Sequence, residues 1–282
     1  MTGTTQHVEL ERWAPTRDET LAWLSIMLLA FVPIGAIFAG FASLATGGGA
    51  GEVRIELGSF VLFLVLILAI FVLHEVIHGA TVLLFGQRPR FGAGLMHGLP
   101  YLSTTADAEF ARDQFVVIAL APLAVISVAG VGLMFLTPAL SAWLVFPLAL
   151  NALGTIGDLA LVRVALRYPR DVVIQDEQTG ITVRGPSSYR RRPLSAGRNE
   201  AARERFVRAF SRAFPIVLLV ILVLELVLVV ALQAAGVSSF ELPGFVAVSR
   251  GASPRVSAGL FGPLAVALGL AVAYAGLKVG RR

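Results

Sequence analysis

The 282-residue chain has no cysteine, so it can form no disulfide and can offer no thiolate to a metal; any metal site must be built from His, Asp and Glu. Charge is scarce as well. Only 15% of the residues are charged, against about 25% in a soluble domain. With 56% of residues hydrophobic and a mean hydropathy of +0.80, water cannot be the main solvent. The chain lacks the interleaved basic and aromatic residues of an RNA-binding sheet, so its net charge of +5 does not point to nucleic acid. It also lacks a short cationic segment leading into a cleavable apolar core, so the first apolar run is expected to stay as a helix.

What is present is a series of apolar blocks, each longer than the roughly 18 to 20 residues that cross a hydrocarbon core of about 30 Å. Six spans are expected, at about 20–45, 58–85, 114–137, 141–163, 213–235 and 256–277. Nothing alternates over ten residues as a membrane barrel would, so the fold class is an all-α membrane protein. A very short connection at Pro138 should make spans three and four an antiparallel pair. The glycines from Gly47 to Gly51 mark the first loop. This divides the chain into a tail (1–19), a four-helix membrane core (20–163), a basic segment (164–212) and two further spans with a short basic tail (213–282).

Lys and Arg collect on the cytoplasmic side of membrane proteins. All but Arg54, Arg250 and Arg255 of the 23 Lys and Arg residues fall on one side of this arrangement. Both termini are therefore expected in the cytoplasm, in the cell membrane. In the basic segment, Val172 to Val183 reads as a small hairpin with a glycine turn at Asp176 to Gly180. Beyond Arg190, Arg191 and Arg192, Phe206, Phe210 and Phe214 recur every four residues, with Arg203, Arg208 and Arg212 on other faces. That suits an amphipathic helix on the anionic leaflet, serving as a positive-inside anchor.

Within span two lies His74-Glu75-Val76-Ile77-His78. On a helix the two histidines stand about 40° apart around the axis and about 6 Å apart along it, so both can reach one ion. Glu75, about 100° from His74, can act as general base on a water whose pKa the ion lowers to about 7. An ionised carboxylate in a span costs about 2.5–3.5 kcal/mol and usually marks function. The plainer reading is that these groups pair with one another to hold the helices together.

A catalytic zinc usually has a third protein ligand, and Asp158 in span four is the leading candidate. Spans two and four run the same way, and counting from their cytoplasmic ends sets His78 and Asp158 about 5 Å apart in depth. Gly154 and Gly157 are expected to let the helices approach closely. The alternative for Asp158 is an ion pair with Arg163. Glu225, in the middle of span five, is either another ligand or a protonated, hydrogen-bonded group. Asn151 either holds a substrate backbone or bonds between helices. His97, in the glycine- and proline-containing loop from Gly92 to Tyr101, is a loop histidine or a ligand or lid residue.

Together, His74 to Gly79, the loop with Pro100, Tyr101 and Thr104, the pair Ala121-Pro122, the run Asn151 to Asp158, and Tyr168-Pro169 with Asp171 and Asp176 resemble the DUF3267 family of zincin-type peptidases. The likeness spans roughly residues 60 to 185. More distantly the chain is similar to site-2 proteases, intramembrane zinc peptidases. That resemblance implies that His74, His78 and Asp158 are zinc ligands and Glu75 the base. The chain departs from their pattern in having Ile156-Gly157 before the aspartate and in lacking the proline-rich stretch.

The expected function is a Zn2+-dependent intramembrane endopeptidase whose partners are the lipid bilayer and a membrane protein or peptide substrate. Its rivals are a metal-binding membrane protein that needs no Glu75, and a transporter with carboxylates in an ion path. A transporter would normally show two related halves, and none are evident.

Overall fold

The structure is a computed structural model that describes residues 7–48, 57–189, 198–237, 239–249, 255–258 and 261–280. Gly49 to Gly51, Arg54, Arg190 to Arg192 and Arg250 lie outside the described residues. In chain order the elements are β1 (His7–Trp13), α1 (Arg17–Ala45), α2 (Leu57–Leu84), β2 (Pro89–Met96), β3 (Leu99–Ala106), β4 (Glu109–Ala111) and α3 (Arg112–Leu136). A 3-10 turn (Pro138–Leu140) leads to α4 (Ser141–Gly154), α5 (Ile156–Ala165), β5 (Val173–Glu177), β6 (Gly180–Pro186) and α6 (Arg198–Ala234). Last come β7 (Ser239–Leu242), β8 (Val246–Ser249), β9 (Arg255–Ala258) and α7 (Phe261–Gly280).

Six helical stretches are long and apolar enough to cross a membrane, with the 3-10 turn, α4 and α5 forming one of them. The fold is a multi-pass helical membrane protein; the first four expected spans are there to within about five residues, the fifth begins earlier, at Ala202, and the sixth begins later, at Gly262. Large apolar side chains on these helices face outward, among them Val128 and Leu226, which suits hydrocarbon as solvent. The fold also holds β-structure. The expected hairpin is β5–β6, but it belongs to an antiparallel sheet of order β1-β6-β5-β4. Its edge strand β1 comes from the N-terminal tail, where the alternation in His7-Val8-Glu9-Leu10 already carried a strand period. Likewise β7, β8 and β9 form a three-stranded sheet, and β9 occupies residues assigned above to the start of span six.

The chain divides into two compact units, residues 1–16 with 30–193, and residues 17–29 with 194–282. In the first, one apolar core joins α1, α3 and α4 through Phe38, Ile126, Met134 and Leu148. A second core lies where the sheet meets the helices. It contains Val82 of α2, Phe115 and Ile118 of α3, Val164 of α5, and Ile174, Ile181 and Val183 of the sheet. Two helices of this unit approach closely at Gly130, where a Cβ would run into the Leu148 side chain. The glycines expected to serve that purpose, Gly154 and Gly157, do not: open space surrounds the Cβ position of each. Both flank Thr155, where span four is broken rather than continuous. The Thr155 hydroxyl donates back to the Asn151 carbonyl at 2.9 Å, a bond that bends helices.

In the second unit, Phe214 and Leu218 of α6 pack against Ala267 and Ala271 of α7, the four-residue spacing of small side chains that lets membrane helices close up. The expected basic amphipathic helix is continuous with span five, a single helix of 37 residues. At 1.5 Å per residue it is about 55 Å long. Asp18 pairs with Arg208 and Arg212 on it, at 3.2 and 2.7 Å. Pro215 has no N–H for the Ser211 carbonyl four residues back. The Ser25 hydroxyl lies 3.4 Å from that freed oxygen and 2.9 Å from the Leu21 carbonyl.

Candidate metal centre

The helix α2 carries His74, Glu75 and His78 because its apolar run continues unbroken on either side of them. His74 Nε2 and His78 Nε2 lie 3.1 Å apart. The Asp158 carboxylate, brought in by α5 after the break at Thr155, is 3.3 Å from the first and 3.6 Å from the second. These spacings bracket the edge, about 3.3 Å, of a tetrahedron with metal–ligand bonds of about 2.0–2.1 Å. Among the described residues these three form the group with metal-ligand spacing, all ligand atoms within 4.8 Å of one another.

The hydrogen bonds behind the histidines set which nitrogen carries the proton. The Ile118 carbonyl can only accept, so His78 donates to it from Nδ1, at 2.8 Å. His74 donates from Nδ1 to Asn151 Oδ1 at 2.9 Å. The Asn151 amide is oriented for this by donating from Nδ2 to the Pro122 carbonyl, at 3.5 Å. In the neutral imidazoles both Nε2 lone pairs therefore point at the same space as a carboxylate. Three electron donors facing one another without a shared proton repel, and a cation removes that repulsion. On donor chemistry and spacing, His74, His78 and Asp158 fit a zinc ion.

The acceptor for His78 exists because of a proline. Within a helix the Ile118 carbonyl would bond to the N–H of residue 122, and Pro122 has none. The same residue's own carbonyl receives Asn151, so Pro122 stands behind both histidines. Its signal in the sequence was a proline in the middle of an apolar span, readable only through the rule that it frees the carbonyl four residues earlier.

Glu75 lies outside the triad and is held by Thr104 of β3, whose hydroxyl is 2.7 Å from Glu75 Oε2 and 3.0 Å from the Glu75 carbonyl. The hairpin β2–β3 is held against α2 at a second point, where Phe91 lies over Gly79 so closely that a Cβ there would come within 2.6 Å of the ring. Residues 92–101, read above as a loop because of their glycines and proline, are thus mostly strand. Their tip is a two-residue turn at His97 and Gly98, with φ of 53° and 89°, which matches the twist of a hairpin. His97 is exposed there, about 20 Å along the strand from Thr104 at 3.4 Å per residue.

Asn151, 2% exposed, bonds between helices behind His74. Asp158 is paired with the histidines rather than with Arg163. Glu225 belongs to the second unit and is not among the three grouped residues; it is buried, and among the described residues its Oε1 has no hydrogen-bond partner. Asp176, at the end of β5, comes within electrostatic range of Asp158 and Glu75. Burial pushes its carboxyl well above the usual carboxylate range, and the negative charges of Asp158, Glu75 and Glu177 push it the same way.

No curated protein and no solved structure matches the chain. Residues 67–173, which contain His74, Glu75, His78, Thr104, Pro122, Asn151 and Asp158, match the model of the DUF3267 family, described as "Putative zincin peptidase", and that match supports a metallopeptidase.

Proposed function

We propose that the chain is a zinc-dependent intramembrane endopeptidase that cleaves membrane-associated polypeptides near the cytoplasmic end of its own spans. The observation that carries this reading is the convergence of His74 Nε2, His78 Nε2 and the Asp158 carboxylate at 3.1–3.6 Å, beside an acid that is not part of the set. His74, His78 and Asp158 would hold the ion. Zinc, when bound, supplies Lewis-acid charge that polarises a carbonyl and acidifies water.

The chain's own groups do the rest. Glu75, fixed through Oε2 by the Thr104 hydroxyl, keeps Oε1 for a proton. It takes that proton from water as the water oxygen bonds to the scissile carbonyl carbon. When the C–N bond breaks, Glu75 returns the proton to the leaving nitrogen. The Nδ1 protons of His74 and His78 stay on the rings, donated to Asn151 Oδ1 and the Ile118 carbonyl, so the rings keep their orientation throughout. A peptide bond inside a substrate helix is shielded by its neighbours, so the substrate must unwind locally to reach Glu75. The cytoplasmic placement of the site and both termini rests on the distribution of Lys and Arg.

The experiment compares polypeptide termini in membranes from cells producing the wild-type chain or Glu75→Gln. New termini in or beside membrane spans should appear with wild type and vanish with Glu75→Gln, while both proteins hold zinc. Identical termini from two zinc-loaded proteins would make this a metal-binding protein without peptidase activity.

A further inference from the structure

β5 sends two neighbouring acids in opposite directions. Side chains alternate along a strand, so Asp176 shares its face with Ile174. Residues paired directly across an antiparallel ladder also share a face, and Asp176 pairs with Ile181. Ile174 and Ile181 are both 0% exposed, in the core formed with Val82, Phe115, Ile118 and Val164. That is the core whose Ile118 carbonyl holds His78. Glu177 points the other way, to Arg12 at 3.0 Å and the Thr182 hydroxyl. Asp176 therefore lies on the sheet face turned to that core, within electrostatic range of Asp158 and Glu75, whereas Glu177 faces basic and hydroxyl partners.

Among the described residues Asp176 makes no hydrogen bond and no ion pair. The Asp176 side chain is only half-buried, so a ligand can reach it, and Glu75 and Asp158 add like charge beside it. An apolar or amide side chain would fill this place at lower cost, so packing does not explain an acid. Nor does metal ligation by the triad, because the grouped ligand atoms come from His74, His78 and Asp158 without it. What the position lacks is a positive charge delivered from outside the chain.

On the peptidase reading above, we propose that Asp176 is the specificity-determining residue, receiving a Lys or Arg side chain of the substrate next to the bond that is cleaved. The cytoplasmic flanks of membrane spans are enriched in these residues, so a substrate cut at that end of the bilayer presents them. A guanidinium or ammonium on the Asp176 carboxylate forms a charge-assisted hydrogen bond.

The test uses two dipeptide hydroxamates that differ only in carrying arginine or its uncharged isostere citrulline. They are titrated against full-length, zinc-loaded protein in detergent, wild type and Asp176→Asn. Wild type should bind the arginine compound about tenfold to hundredfold more tightly. In Asp176→Asn that preference should fall to about twofold or less, with the citrulline affinity unchanged. Equal binding of the two compounds by wild type overturns the proposal, as does a preference that survives in Asp176→Asn. So does a second equivalent of zinc that is lost in Asp176→Asn, which would make Asp176 a metal ligand. If neither compound binds although zinc is present, the assignment of Asp176 fails alone. If no zinc is held, the metallopeptidase reading fails and takes this proposal with it.

Discussion

Replacing Pro122 by alanine separates stability from metal binding. Proline in a helix interior costs about 3 kcal/mol relative to alanine, so the change should leave the metal-free protein at least as stable as wild type. It also gives residue 122 an N–H directed at the Ile118 carbonyl, the oxygen that receives His78 Nδ1–H at 2.8 Å. His78 must then share its acceptor or follow a helix that has straightened. Losing much of one hydrogen bond is worth about 1–1.5 kcal/mol, roughly tenfold in affinity, at the low end of the 10- to 100-fold loss usual for partners of metal ligands. Zinc affinity measured by competition with a chromogenic chelator, beside a thermal unfolding scan, reads both effects. The expected pattern is affinity down about tenfold with the unfolding temperature level or raised. Zinc affinity within twofold of wild type would refute the role given to the freed carbonyl, and a fall in affinity that merely tracks a fall in unfolding temperature would do the same.

Three further outcomes follow from contacts in the first unit. Asn151→Leu removes the acceptor of His74 Nδ1–H and should weaken zinc about 10- to 100-fold by the same chelator competition. Thr104→Val should leave zinc content unchanged but cut the yield of new membrane-protein termini about tenfold, and Thr104→Ser, which keeps the hydroxyl on Glu75, should restore it; equal loss in both variants would reduce Thr104 to a packing role. Gly130→Ala forces a methyl into the Leu148 side chain and should lower stability by about 1–3 kcal/mol, seen as an earlier unfolding transition.

The parts of this protein that were legible in sequence are those set by short-range spacing. Six apolar runs gave six spans, because hydrocarbon demands a minimum length of apolar helix. The pair His74 and His78 was readable because four residues put two side chains on one helix face. Asp158 stood out as an acid inside a span. The supporting contacts were hidden because they join segments far apart in the chain. Thr104 reaches Glu75 from a hairpin whose glycines and Pro100 read as irregular loop; its alternation and the turn at His97-Gly98 were the available signs of strands. The Ile118 carbonyl is a backbone atom, and residue type says nothing of it. Gly154 and Gly157 fitted a familiar pattern of small residues in membrane interfaces, but open space surrounds the Cβ position of each. The role of Asn151 depended on where its amide points, which the Pro122 carbonyl decides.

His74, His78 and Asp158 converge with the spacing and donor chemistry that hold one divalent metal ion. Elemental analysis of detergent-purified, zinc-replete protein tests it most directly. The account predicts about one zinc per chain in wild type and in Glu75→Gln, and little or none in His74→Ala, His78→Ala and Asp158→Ala. A wild-type protein that holds no metal, or ligand variants that keep it, would contradict it and leave these side chains as partners that tie helices together.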